Sequence, residues 1–193
     1  SEGTASCVKH YITNSSETQR MNISTEISER TLQEIYVKNY KRIIEKADPW
    51  GFMASYNKVN GVRVCESKLI LKDILRDQLH FTGHVVTDWL AARSVEKGAS
   101  GCIKAGLSLE MPGYFLTRTY IPKKVKSALA KGEITVNDVD YVVRPLLRTF
   151  LRVGLFDEQP KVAPEIIDIP EHQDLARIIA EESMVLLKNE HKI

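Results

Sequence analysis

Apolar positions along this chain follow two rhythms: short runs that end in polar residues, and longer stretches at three-to-four spacing. Four runs read as strands, at residues 5–10, 52–57, 84–89 and 107–113. Their far ends carry Lys9-His10, Tyr56-Asn57, Asp88-Trp89 and Glu110-Met111. Between them, Leu32, Ile35, Tyr36, Tyr40, Ile43 and Ile44 mark a helix over residues 29–46, with Ser28 placed to cap it and Asp48-Pro49 to end it. Leu69, Leu71, Ile74, Leu75 and Leu79 mark a second helix, with Lys72-Asp73 and Arg76-Asp77 on its wet side. Strand, helix, strand, helix, strand with brief links is the order of right-handed parallel crossovers, hence an α/β layer or barrel.

Residues 9–21 are polar and turn-rich and read as a long loop on the rim of a pocket. Asn60-Gly61 favours a tight turn, and a short segment over residues 91–99 leads to the fourth strand. Past Gly113 the pattern is helical only, over residues 121–130 and 136–153, with Thr135 or Asn137 as a cap and Gly154 closing the second helix. Residues 156–170 hold three prolines and little periodicity, which suits a linker. An amphipathic helix over residues 173–183 and an apolar strand over residues 184–187 follow. The chain begins on a strand that has no partner for its other edge. Because open sheet edges are a liability, we expect a piece of a longer protein.

Composition narrows the class. With 193 residues, 43% hydrophobic and 27% charged, a sizeable core is expected. A net charge of +2, with bases and acids interleaved, argues against a nucleic-acid partner. No apolar run approaches the roughly 18 residues of a membrane span. Cys7, Cys65 and Cys102 lack the paired short spacings of a zinc site or a disulfide framework and read as packed thiols, which favours a cytoplasmic over a secreted or periplasmic place. Asn14 and Asn22 open glycosylation sequons, a tripeptide frequent by chance.

Strand ends carrying Lys-His, Tyr-Asn, Asp-Trp and Glu-Met resemble the wall of a sugar pocket, since an α/β barrel keeps its reactive groups at the C-terminal rim of its strands. Six segments in order resemble glycoside hydrolase family 3, the β-glucosidase and β-xylosidase type. They are Lys9-His10-Tyr11 with Asn14 and Arg20, residues 29–36, residues 53–61, Val85-Val86-Thr87-Asp88-Trp89, Leu109-Glu110-Met111-Pro112-Gly113, and residues 180–189.

The resemblance implies the C-terminal part of a TIM-like (β/α) barrel over residues 1–154, an interdomain linker over 155–171, and the first helix and strand of an α/β sandwich over 172–193. It implies a retaining β-glycosidase, a β-glucosidase above all, that removes terminal β-D-glucosyl residues by double displacement without metal or organic cofactor. Its partner is a β-glucoside or oligosaccharide; the full-length protein could form a homo-oligomer. Asp88 takes the place of the nucleophile. Lys9 and His10 bring positive charge and bond sugar hydroxyls, Trp89 and Tyr56 face the pyranose, and Met53 lines the same subsite.

The barrel half that supplies a sugar-binding Asp and Arg has no counterpart here, and the acid/base, a Glu, is expected beyond Ile193. The alternative is therefore a catalytically inactive carbohydrate-binding fragment or homologue; the isolated fragment is expected to be inactive. No His lies in residues 12–18, which disfavours the branch that cleaves N-acetylhexosamine with an Asp-x-His pair. Two residues depart from the family: Ser108, where Asp is common, and Leu90, where a glycine or small residue is common. For Glu110 the structural reading, shaping a turn, is preferred to a catalytic one.

Overall fold

The computed structural model of the chain describes residues 3–113, 119–158 and 167–190. They belong to two compact units, Ser1–Asp157 and Glu158–Ile193. In the first unit, strands β1 (Cys7–Tyr11), β3 (Gly51–Ala54) and β6 (His84–Thr87) form a parallel sheet in the order β1-β3-β6. Gly51 pairs with Cys7 on one side and His84 on the other, and Ala54 with Tyr11 and Thr87. The register slips between Val8 and Tyr11. All three strands therefore end at one rim, where their last residues meet.

The expected fourth strand shrinks to a single parallel bridge, Val86 to Leu109. Pro112 has no N–H to lend to a ladder, and side chains stand in for the missing bonds. Ser108 Oγ accepts from the Val85 amide at 3.2 Å, and Thr87 Oγ1 accepts from the Met111 amide at 2.9 Å.

Glu29–Thr31, Leu32–Val37 and Lys38–Ala47 run on as one helix, α1, whose middle is π-helical. Ser28 caps it by accepting from the Thr31 amide at 3.2 Å, and Asp48 ends it at a φ of +41°. The wider turn shifts the phase of the apolar stripe. Val37, 2% exposed, reaches the core, while Ile35 is left 58% exposed. Helix α2, Lys68–Gln78, covers the sheet with Ile70, Leu71, Ile74 and Leu75. Edge-to-face contacts among Tyr11, Tyr40, Phe52 and Phe81, with centroids 4.6–5.7 Å apart, lock α1 onto the strands.

Two elements exceed the sequence expectation. Residues 91–99 are turns that pass into helix α3, Gly98–Ala105. Its glycines Gly98 and Gly101 hid it, since glycine costs about 1 kcal/mol of helix propensity. A second sheet, β2 (Ser24–Thr25), β4 (Lys58–Val59) and β5 (Val62–Arg63), forms beside the first. Its hairpin turns on Asn60-Gly61, with φ of +48° and +81°, the geometry an Asn-Gly pair supplies.

Helices α4 (Pro122–Ala130) and α5 (Val136–Arg152) follow as expected, α5 opening on a reciprocal cap between Thr135 and Asp138. Of the thiols, Cys65 and Cys102 are buried as expected, but Cys7, at the start of β1, is exposed. In the second unit, helix α6 spans Pro170–Glu182. Residues 184–187 form no strand there, and their side chains are exposed; a strand needs a neighbour to bond. Residues 159–166 of the expected linker lie outside the described residues.

Candidate active site

The site is built on Asp88. Its amide donates to Ala54 O at 2.9 Å, carrying the β3–β6 ladder one residue past the end of the strand. This fixes the backbone of the first residue beyond the rim, and three donors fix the side chain. Tyr56 Oη donates to Asp88 Oδ1 at 2.9 Å, and the Trp89 amide donates to the same oxygen at 2.7 Å. His10 Nε2 lies 3.0 Å from Asp88 Oδ2. The carboxylate side chain is 13% exposed and the imidazole 30%. Asp88 is thus held from two sides while one face stays reachable.

Each neighbour is itself positioned. The Tyr40 hydroxyl donates to His10 O at 2.6 Å, setting the end of β1. Ser55, between Ala54 and Tyr56, bonds both the amide and the carbonyl of Ile12 at 3.0 Å. Buried Asn57 donates to Thr13 Oγ1 at 2.7 Å. Burial, then the hydrogen bond to Asp88, pushes the Tyr56 hydroxyl up to about 12. It therefore stays a proton donor to the carboxylate across the neutral range.

The structure brings together Asp88, His10, Tyr56 and Trp89. Trp89, whose amide bonds the carboxylate, is 60% exposed. Met53 is half-buried on β3, in register with Val86. Lys9 is exposed next to His10, and among the described residues it makes no ion pair with Asp88.

Arg20, in the loop that follows β1, has its guanidinium 4.7 Å from the Tyr56 ring centroid and bonds Glu17 at 2.7 Å. It brings a cation to the wall of the site, and only a three-dimensional contact could reveal that. Glu110 is the structural clamp expected of it. The buried carboxylate accepts from the Thr119 amide at 3.1 and 3.2 Å and from the Tyr120 amide at 2.6 Å. Leu90 adopts a φ of +66°, a left-handed conformation that a glycine accepts without strain and a leucine does not. Among the described residues, no group of three or more His, Cys, Asp or Glu side chains is arranged to hold a metal ion.

A parallel sheet covered by crossover helices, with polar side chains gathered at its strand ends, defines a sector of an α/β barrel-type fold. Residues 1–149 match the model of the glycosyl hydrolase family 3 N terminal domain, and the chain belongs to that family. It is 36% identical over 190 residues to a beta-glucosidase of Rhizobium radiobacter, covering 98% of this chain and 22% of that protein. It is 35% identical over 199 residues to an exo-alpha-(1->6)-L-arabinopyranosidase of Bifidobacterium longum, covering 100% of this chain and 24% of that one. The fold superposes on the Kluyveromyces marxianus beta-glucosidase solved in complex with glucose with a TM-score of 0.78 at 36% identity, covering 99% of this chain and 23% of that structure. The chain thus spans about a quarter of the length of these relatives, and its sheet and helices are a sector of a TIM-like (β/α) barrel.

Proposed function

We propose that this chain carries the nucleophile of a retaining β-glycosidase, most simply a β-glucosidase. Retaining hydrolysis needs one carboxylate to attack the anomeric carbon and a second group about 5 Å away to protonate the leaving oxygen. Asp88 is the attacking group in this reading. One observation carries it: three donors from three strand ends converge on a carboxylate that keeps 13% of its side-chain surface exposed. A carboxylate so held is pre-oriented, and its charge is balanced without being neutralised.

His10 and Lys9 supply donors for sugar hydroxyls, and Trp89 and Tyr56 supply the surface against which the apolar face of a pyranose stacks. Met53 lines the same subsite. Tyr56 Oη, bonded to Asp88 Oδ1, is placed to follow the charge that leaves the carboxylate as the glycosyl–enzyme bond forms. The proton donor is expected from a part of the protein outside this chain, with residues 155–171 serving as the link to the domain that provides it. The similarity to the Bifidobacterium longum exo-alpha-(1->6)-L-arabinopyranosidase supports a second substrate, an α-L-arabinopyranoside.

The test uses the full-length protein with aryl β-glucoside and aryl α-L-arabinopyranoside. Asp88→Ala should abolish turnover of whichever substrate the wild type cleaves, with the thermal midpoint nearly unchanged. Substantial activity in the variant would remove Asp88 from this role.

A further inference from the structure

We propose that Arg63 is the positioning residue of the candidate site, holding in one register the three loops that carry its side chains; this rests on the glycosidase reading above. Arg63 closes the hairpin of β4 and β5 and is 7% exposed. Its Nε donates to Ser94 O at 2.8 Å, and its Nη1 donates to Met21 O at 2.8 Å and to Tyr56 O at 3.1 Å.

Each acceptor lies on a different wall of the site. Met21 follows Arg20, whose guanidinium stacks on Tyr56. Tyr56 donates to Asp88. Ser94 lies in the loop that begins with Asp88 and Trp89. No carboxylate stands within ion-pair distance of Arg63 among the described residues, so its charge is spread over these carbonyl dipoles.

The planar guanidinium fork fixes the directions of its donors, and a lysine ammonium cannot meet three carbonyls set at those angles. The same segment grips the Asp88 loop at two more points. Glu66 accepts from the amides of Glu96 and Lys97 at 2.8 and 2.7 Å, and Lys58 pairs with Glu96 at 3.0 Å. Those contacts hold only the one loop, whereas Arg63 joins all three. Arg63 acts through these backbones, and displacing a nucleophile by an ångström can cost about a hundredfold in rate.

Hydrogen exchange read by mass spectrometry on the full-length protein, as wild type, Arg63→Lys and Arg63→Met, tests this. Exchange in peptides covering residues 18–23, 54–58 and 88–96 should rise together, by about tenfold or more in Arg63→Met and less in Arg63→Lys, while residues 136–152 stay protected. On the substrate the wild type cleaves, kcat should fall about 10–100-fold with KM changed far less. A rise confined to residues 58–63, or one spread equally over residues 136–152 in both variants, would overturn the proposal. Should Arg63→Met not fold, Arg63→Lys alone decides between these outcomes. A wild type without glycosidase activity would sink the glycosidase reading, and the exchange pattern would still decide whether Arg63 couples the loops.

Discussion

Two buried or half-buried carboxylates stand near neighbouring strand ends, and their partners differ in kind. Glu110 is satisfied by the backbone amides of Thr119 and Tyr120. Asp88 is held by the Tyr56 hydroxyl, the His10 imidazole and one amide, and keeps an open face. Side-chain donors can be shared with an incoming sugar hydroxyl, whereas a cage of amides cannot. A carboxylate's partners, more than its place at a strand end, thus set the clamp Glu110 apart from Asp88, the proposed nucleophile.

Exchanging the phenotypes of these two acids is the strongest way to break the comparison. Asp88→Ala should lower kcat by about a thousandfold or more while unfolding free energy moves by less than about 1 kcal/mol. Glu110→Gln should do the reverse, costing about 2–3 kcal/mol of stability in chemical denaturation, because a neutral amide replaces charge-assisted bonds. Specific activity per folded molecule should change little. A Glu110 variant that folds as well as wild type but does not turn over would erase the distinction.

Tyr56→Phe sharpens the comparison, since it removes one displaceable donor and keeps the ring. A loss of about tenfold in kcat is expected, the worth of one hydrogen bond to a charged group. The same variant tests the tyrosine's titration. Its hydroxyl is raised from an ordinary value of 10.0 to about 12 by burial and by Asp88. Its protonated form is therefore favoured in the folded state, and its contribution to stability is fully present below pH 10. That contribution is lost as pH climbs through about 12, so Tyr56→Phe should flatten this alkaline decline in unfolding free energy. The smallest effect is that of Leu90→Gly, which should relieve about 1 kcal/mol of left-handed strain, partly offset by lost packing and by glycine's greater entropy when unfolded. A thermal midpoint that falls sharply would show the leucine side chain to be anchored by more than its backbone suggests.

Much of this was legible in the chain. Apolar runs placed β1, β3 and β6, and helical spacing with caps placed α2, α4 and α5 to within a residue or two. What escaped had local causes. The π turn rotated Ile35 out of the stripe that ordinary helical spacing gave it, and the two-residue strands β2, β4 and β5 are too short to show alternation. Glycines masked α3, and Pro112 cut the fourth strand down to a bridge.

At the site, resemblance singled out Asp88, Lys9, His10, Met53, Tyr56 and Trp89; of these, His10, Tyr56 and the Trp89 amide meet the Asp88 carboxylate, whereas among the described residues Lys9 makes no ion pair with it. Arg20 and Arg63 were illegible in their present roles because their partners lie far along the chain. Arg20 meets the Tyr56 ring, and Arg63 meets Met21 O and Ser94 O, pairings that no spacing rule encodes.

In the proposed mechanism Asp88 forms the covalent bond to the sugar. The full-length protein, inactivated with a 2-deoxy-2-fluoro glycoside of its own substrate and digested, reports on that directly by mass spectrometry. One glycosyl adduct is expected, on the peptide that contains Asp88, and none in Asp88→Ala. An adduct on any other carboxylate, or inactivation undiminished in the variant, would contradict it.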